Sequence, residues 1–200
     1  FGLDSARPRR LLKKRTTMLD TATRTIFEEE HEQFRDAVRK FFAAEMLPHS
    51  ARWDAEGIVD REFWLKAGAA GLLCPSVLPE YGGLGLDFRY NSVVGEEVAY
   101  SGATPSLRLH SDIVVPYLEK YGTEEQKSRY LPKMVSGELI VAIGMSEPGA
   151  GSDAAALKTR AVRDGEDYLL DGSKVFISGA GSTDVLVVMA RTGGEGAKGI

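Results

Sequence analysis

Near Glu138 the spacing of the apolar residues changes, and that change limits what this chain can fold into. Before it, from Thr25 to about Gly137, apolar side chains recur three and four residues apart, the period of an amphipathic helix. After it they come in short runs broken by turn pairs, as strands do. A chain patterned this way is built in two parts, helices first and a sheet second.

The first part reads as five helices. Thr25 and Glu28 have capping-box spacing ahead of the first. Phe34, Val38, Phe41 and Phe42 share one face of it, with Arg35, Arg39 and Lys40 off that face. Pro48 ends or kinks this helix. Phe63, Trp64, Ala67 and Leu72 mark a second, which runs out between Gly68 and Gly71. The third covers about residues 90–100 and the fourth about 112–121. Thr123 caps a fifth, with Glu124 and Glu125 in its first turn, where carboxylates complement the helix dipole. Pro132 falls late in that helix or just after it.

The strand-like runs are residues 139–144, 157–163, 168–171, 174–178 and 185–190. Asp164-Gly165 and Asp171-Gly172 turn between them, the second with a strong hairpin signal. The expected fold class is α+β: an all-α helical domain over residues 18–137, then an incomplete antiparallel β domain over 138–200. Ile200 stands where a further strand would begin, and a sheet cut there leaves an unpaired edge. The chain is expected to be the front portion of a longer protein.

Residues 1–17 stand apart, with Arg7, Arg9, Arg10, Lys13, Lys14 and Arg15 against a single acid, Asp4. They are expected to be a disordered extension. They read as a translated stretch upstream of a start at Met18, with an Arg-rich transit peptide or a basic arm as the other readings. Beyond them the composition is ordinary for a globular protein, 43% hydrophobic and 27% charged. The net charge of −4 leaves no basic footprint for nucleic acid. One cysteine, Cys74, excludes an internal disulfide and suits a reducing compartment. No apolar run approaches the roughly 20 residues of a membrane span.

The chemistry concentrates after the run 139–143, in Ile143-Gly144-Met145-Ser146-Glu147-Pro148-Gly149-Ala150-Gly151-Ser152-Asp153. Glycines let the backbone approach a ligand and point its N–H groups inward. Ser146 and Ser152 add hydroxyls on either side of the turn. This run resembles the flavin-binding signature of the acyl-CoA dehydrogenases. Three other segments match that family in the same order: Pro79-Glu80-Tyr81-Gly82-Gly83-Leu84-Gly85, Glu96-Glu97-Val98-Ala99-Tyr100 and Tyr121-Gly122-Thr123-Glu124-Glu125-Gln126-Lys127. Gly172-Ser173-Lys174-Val175-Phe176-Ile177-Ser178 resembles the family's second flavin-contacting strand, with Phe-Ile-Ser in place of Trp-Ile-Thr, most like the long-chain branch.

The resemblance implies FAD bound where the β domain meets the helices. Ile143, Gly144, Met145, Ser146, Glu147, Pro148, Gly149, Ala150, Gly151 and Ser152 would line the pyrimidine side of the ring. Ser146 would donate toward the carbonyl and N1 region, where donors stabilise the charge of reduced flavin. Phe176 would pack on the ring, Ile177 would stand beside it, and Ser178 would sit near N5. Ser152 would also reach the acyl-CoA substrate. The implied reaction is α,β-dehydrogenation of a fatty acyl-CoA thioester to the trans-2-enoyl-CoA, with electrons passed to an electron-transferring flavoprotein by a homotetramer. In the family the base is a glutamate of a C-terminal four-helix domain, which this chain lacks, so no catalytic base is assigned here and the chain alone is expected to be inactive. The location implied is cytoplasmic for a bacterial source and the mitochondrial matrix if residues 1–17 are a transit peptide. Acyl-CoA oxidase, a related flavin monooxygenase or nitroalkane oxidase, and a non-catalytic flavin- or acyl-CoA-binding remnant remain as alternatives.

Some tempting residues read as structural. Glu96 and Glu97 are adjacent, about 100° apart on a helix, and are expected to be solvated or to pair with another helix. Glu147 is expected to hold its loop. His31 and His49 read as helix-surface residues, and His110 has no identifiable partner. No Cys/His cluster points to a metal.

Overall fold

The computed structural model describes residues 24–103 and 105–200. The basic stretch of residues 1–17 lies outside them. The expected order holds, helices up to Val135 and strands from Val141. The first helix, α1 (Glu29–Phe41), starts after Glu28, so Thr25 is not its cap. The Glu28 N–H instead donates to Nδ1 of His31 at 3.1 Å. His31 is fully buried, 4.6 Å from the Tyr90 ring, and is not on the surface as its position predicts. An imidazole that satisfies a helix end while packing on an aromatic ring does two tasks at one buried position.

A π-type turn, Phe42–Met46, follows α1 and carries Phe42 and Met46 into the core before Pro48 stops the helix. A short helix that the apolar spacing does not reveal, α2 (Ser50–Glu56), then buries Trp53. The helix α3 (Arg61–Ala69) buries Phe63, Trp64 and Ala67. The third expected helix is α4 (Phe88–Ser101). A second π-type turn, Leu109–Val114, runs into α5 (Val115–Tyr121). The last helix, α6 (Glu124–Val135), has the predicted Thr123 cap, with Gln126 N–H on Thr123 Oγ1 at 3.2 Å and Thr123 N–H on Gln126 Oε1 at 2.9 Å. Pro132 lies inside it.

The packing of α1 on α4 depends on charge as well as apolar area. Arg35, expected to lie off the packed face, is 5% exposed, and Glu97 is 4% exposed. Arg35 Nη1 donates to Glu96 at 2.7 Å and to Glu97 at 3.2 Å, while Arg39 Nε and Nη2 donate to Glu97 at 2.8 and 3.0 Å. Arg24 adds a further bond to Glu96. The two carboxylates are thus helix-pairing groups with two jobs each, and neither is available as a base.

Gly137 turns the chain out of α6 with φ +80°, and a Cβ there would lie 2.2 Å from the Trp64 carbonyl oxygen. Only glycine fits that corner. The strand β1 (Val141–Gly144) follows at once. It is clamped to the helical part by His110, whose Nε2–H donates to the Met134 carbonyl at 2.9 Å while Nδ1 accepts from Val141 N–H at 3.4 Å. The His110 partners that its sequence position does not disclose are therefore two backbone groups, one on each side of the handover. Burial pushes this imidazole down to about 4, against the smaller opposing effect of the Met134 carbonyl.

The remaining strands are β2 (Arg160–Asp164), β3 (Asp167–Asp171) and β4 (Val185–Val188). β2 and β3 form the expected antiparallel hairpin around Gly165. The β1–β4 pair departs from the antiparallel expectation: it is parallel, with Val141 opposite Val185 and Gly144 opposite Val188. A crossover as long as residues 145–184 can return a strand in the same direction, which a tight turn cannot. The run 174–178 is not a strand, and Asp171-Gly172 makes no hairpin. Phe176 sits at φ +58°, which an extended strand excludes, and Gly172 at φ +150° lets the chain pass Thr159 where a Cβ would lie 2.4 Å from its hydroxyl. Directly opposed residues of a hairpin share a face, so Leu170 and Tyr168 lie on one side of β2–β3 and Val162 and Leu169 on the other. All four are exposed.

Removing Glu97 takes one of three carboxylates from buried Arg35, leaving Glu96 and Glu32, and takes from Arg39 its two bonds to α4. Glu97→Ala is expected to cost roughly 2–3 kcal/mol, and chemical denaturation checks it: a loss under about 1 kcal/mol would refute the role of the network. His110 titrates lower in the folded than in the unfolded chain, so the unfolded state binds more protons between about pH 6.5 and 4. Stability should be lost as pH falls through that window, by roughly 3 kcal/mol from this group. Denaturation of a His110→Gln variant at pH 7 and pH 4 should show a shallower loss than the parent protein.

Candidate functional site

The strand β1 ends at Gly144 and hands the chain to a tight turn. The Glu147 N–H donates to the Ala150 carbonyl at 2.9 Å, and the Ala150 N–H returns a bond to the Glu147 carbonyl at 3.2 Å. Pro148 and Gly149 form the exposed corner between them. A Cβ built on Gly149 or on Gly151 would meet nothing within 4 Å, so the outer face of this turn is open to whatever approaches it.

Glu147 holds the turn from inside. Its carboxylate accepts Lys158 N–H at 2.7 Å, Thr159 N–H at 2.9 Å and Lys174 Nζ at 2.9 Å. Burial alone would raise this carboxyl, but the bonds from Lys174, Thr159 and Lys158 outweigh it and bring it down to about 2. A carboxylate with three donors and so low a pKa is a structural anchor and a poor proton acceptor. Lys174 also donates to the Met145 carbonyl at 3.0 Å, so one ammonium ties both ends of the turn.

The second segment comes alongside here. Val175 N–H donates to the Ser146 carbonyl at 2.9 Å, which brings the run from Phe176 to Ser178 beside the end of β1. The two sequence-predicted segments therefore meet, although through one bond and an ion pair and not through a strand ladder. Phe176 is 93% exposed, and it occupies the left-handed region at φ +58°. An aromatic residue held in that conformation with its ring in the open is an outlier that calls for a role. Ser146 is half-buried, Ser152 and Ser178 are exposed, and none of the three hydroxyls bonds to another described residue. Ile143, half-buried, packs against the core, Gly144 and Ala150 are buried, and Met145 is exposed.

Spacing alone does not disclose Lys174, Thr159 or Lys158 as partners of Glu147. Lys174 lies within a motif that the sequence singles out, but a partner 27 residues from Glu147 is found only by folding. A further feature lies past Ser152. Ala155, Ala156, Leu157, Lys158 and Arg160 form one wall of an open cleft of about 690 Å³, lined on the other side by Gly193, Gly194, Glu195 and Gly196. Arg191 holds these walls in place through the carbonyl oxygens of Ala155 (2.8 Å), Leu157 (3.0 Å) and Gly196 (2.9 Å). Lys158 and Arg160 are exposed at its rim.

The N-terminal domain of the acyl-CoA dehydrogenases matches residues 28–138, and the middle domain of the same family matches residues 142–200. The long-chain specific acyl-CoA dehydrogenase of Sus scrofa mitochondria is 48% identical over 179 residues, which is 89% of this chain and 42% of that protein. An acyl-CoA dehydrogenase from Geobacillus kaustophilus superposes with a TM-score of 0.82 at 49% identity, over 85% of this chain and 45% of the other. A glutaryl-CoA dehydrogenase from Mycobacterium smegmatis, in complex with FADH2, superposes at 0.77 with 28% identity, over 83% and 43% of the two chains. The chain thus spans less than half the length of the relatives it matches. With both domains matched in order across a helical half and a glycine turn that begins the sheet, the chain belongs to the acyl-CoA dehydrogenase family.

Proposed function

We propose that this chain is the front part of an FAD-dependent acyl-CoA dehydrogenase that oxidises fatty acyl-CoA thioesters at the α,β bond to trans-2-enoyl-CoA. The observation that carries this reading is the Glu147-anchored turn with Phe176 held open beside it. The residues fit a flavin: the open face over Gly149 and Gly151 admits a flat ring, unengaged hydroxyls stand at Ser146 and Ser178, and an aromatic face is available at Phe176. Bound FAD supplies the hydride acceptor.

In this reading the cofactor segment is Ile143, Gly144, Met145, Ser146, Glu147, Pro148, Gly149, Ala150, Gly151 and Ser152, together with Phe176, Ile177 and Ser178. Ser146 and the turn amides stabilise negative charge near the pyrimidine edge. Ser178 would supply a donor to the ring, and Phe176 would cover the ring and keep water off it. Glu147 acts only through the turn's shape. Ser152 reaches toward the thioester, and the cleft formed by residues 155–160 and 191–196, where Lys158, Arg160 and Arg191 outnumber Glu195, suits the phosphates of CoA. The α-proton base belongs to the part of the protein outside this chain, so the 200-residue piece by itself is expected not to turn over. We assign an electron-transferring flavoprotein as the acceptor and a homotetramer as the full-length assembly. The cellular location is the mitochondrial matrix if residues 1–17 are a transit peptide and the cytoplasm for a bacterial source.

Anaerobic titration of the FAD-loaded full-length protein with a long-chain acyl-CoA should bleach the flavin absorbance. No bleaching would refute the dehydrogenase reading, and hydrogen peroxide released in air would convert it to an oxidase. Lys158→Glu with Arg160→Glu should weaken acyl-CoA binding by tenfold or more at low salt, with a smaller difference at high salt, as screening of phosphate contacts requires. Equal affinities for the two proteins at low salt would remove the cavity from the CoA site.

A further inference from the structure

The β1–β4 pair is only four residues long, and no tight turn sets its register. In such a pair a slip of one residue turns every side chain to the opposite face and moves the strand end by about 3.3 Å. Something other than a hairpin must therefore set it. Immediately before the first paired residues, Ile140 N–H donates to Asp184 Oδ2 at 2.7 Å, and Asp184 N–H donates back to the Ile140 carbonyl at 2.8 Å. Thr183 Oγ1 donates to the same carbonyl at 3.0 Å. The other Asp184 oxygen accepts Arg61 Nη2 at 2.7 Å, and Arg61 also donates to the Glu138 carbonyl at 2.9 Å. Arg61 is the first residue of α3, whose Phe63 and Trp64 are embedded in the core, so its backbone is a fixed point of the helical half.

From this pin the pairing runs to its far end, where Met189 N–H donates to the Gly144 carbonyl at 3.0 Å. The next residue is Met145, and the glycine turn begins there. We propose that Asp184, steadied by Arg61, is a positioning residue for the flavin turn: it locks the register of β1 on β4 and so fixes where Ser146 stands relative to the helical half. Asp184 touches neither the turn nor its ligand. It acts through Ile140 and the four-residue ladder. Burial by itself would raise its carboxyl, but Arg61 and the Ile140 amide outweigh that and keep it ionised, as a steady acceptor must be. The inference rests on the flavin reading only in what the turn carries, because the register lock itself is a property of the backbone.

Amide hydrogen exchange and flavin titration of the full-length protein test the two parts separately. In Asp184→Ala the amides of residues 141–144 and 185–188 should exchange at least tenfold faster, with the amides of α1 and α4 unchanged. The flavin dissociation constant should rise at least tenfold, and the flavin reduction potential should shift. Asp184→Asn keeps an acceptor for the Ile140 amide and should restore most of both. Arg61→Gln, which leaves Asp184 in place, should move both readouts in the same direction as Asp184→Ala but less, and it serves if the alanine variant fails to fold. Unchanged exchange in Asp184→Ala, or in Arg61→Gln where that variant has to serve, would overturn the register lock. Faster exchange with unaltered flavin affinity and potential would overturn the positioning role. If the parent protein takes up no flavin, the flavin reading fails, and the exchange measurements still decide the lock.

Discussion

A neutral imidazole shut away from water joins the two halves of this molecule. His110 donates to the last turn of α6 and accepts from the first residue of β1, so its two nitrogens answer one orphan carbonyl and one orphan amide at the handover from helix to strand. No charged group could do this at full burial without a partner, and no aliphatic one could satisfy both backbone groups. The ring of Trp64 packs on it at 5.4 Å and brings α3 to the same point. Gly137, pressed against the Trp64 carbonyl, completes the corner. The direction in which β1 leaves the helices follows from this small cluster.

What could be read from the sequence was what is decided locally. The Thr123 cap was legible because its partners lie three residues apart, and the β2–β3 hairpin was legible because Asp164-Gly165 carries its own turn chemistry. The glycine turn could be located for the same reason. Burial of His31 and Arg35 was not legible, because it depends on Tyr90, Glu96 and Glu97 on a helix some sixty residues away. An arginine off the apolar stripe reads as surface unless two carboxylates are known to meet it. The direction of β4 was hidden too, since a four-residue apolar run pairs either way and only the crossover decides. At the candidate site the residues were visible while their roles were not: Lys174 stood in a noted motif, yet its bond to Glu147 exists only in the folded chain.

The site separates its tasks. Groups that hold shape are engaged with one another: the Glu147 carboxylate takes the Thr159 amide and the half-buried Lys174 ammonium. Groups suited to meet a ligand, Ser146, Ser152, Phe176 and Ser178, are unengaged. Phe176 goes furthest, since its left-handed backbone carries a cost on the order of 1–3 kcal/mol that its own contacts do not offset. An exposed ring on a strained backbone offers an open face to a flat partner, which is why the flavin reading favours this residue over a plain strand position.

The β2–β3 ribbon has a consequence for how the protein is made. Leu170 and Tyr168 stand exposed on one side, and Val162 and Leu169 stand exposed on the other among Arg160, Asp164, Asp167 and Asp171. The core lies in the helical half with Ile140 and Val141 packed into it, whereas the apolar side chains of the ribbon stay adhesive until another surface covers them. Until then the ribbon is a template for pairing with ribbons of neighbouring chains. Time spent with this hairpin uncovered is therefore time open to pairing with neighbouring chains.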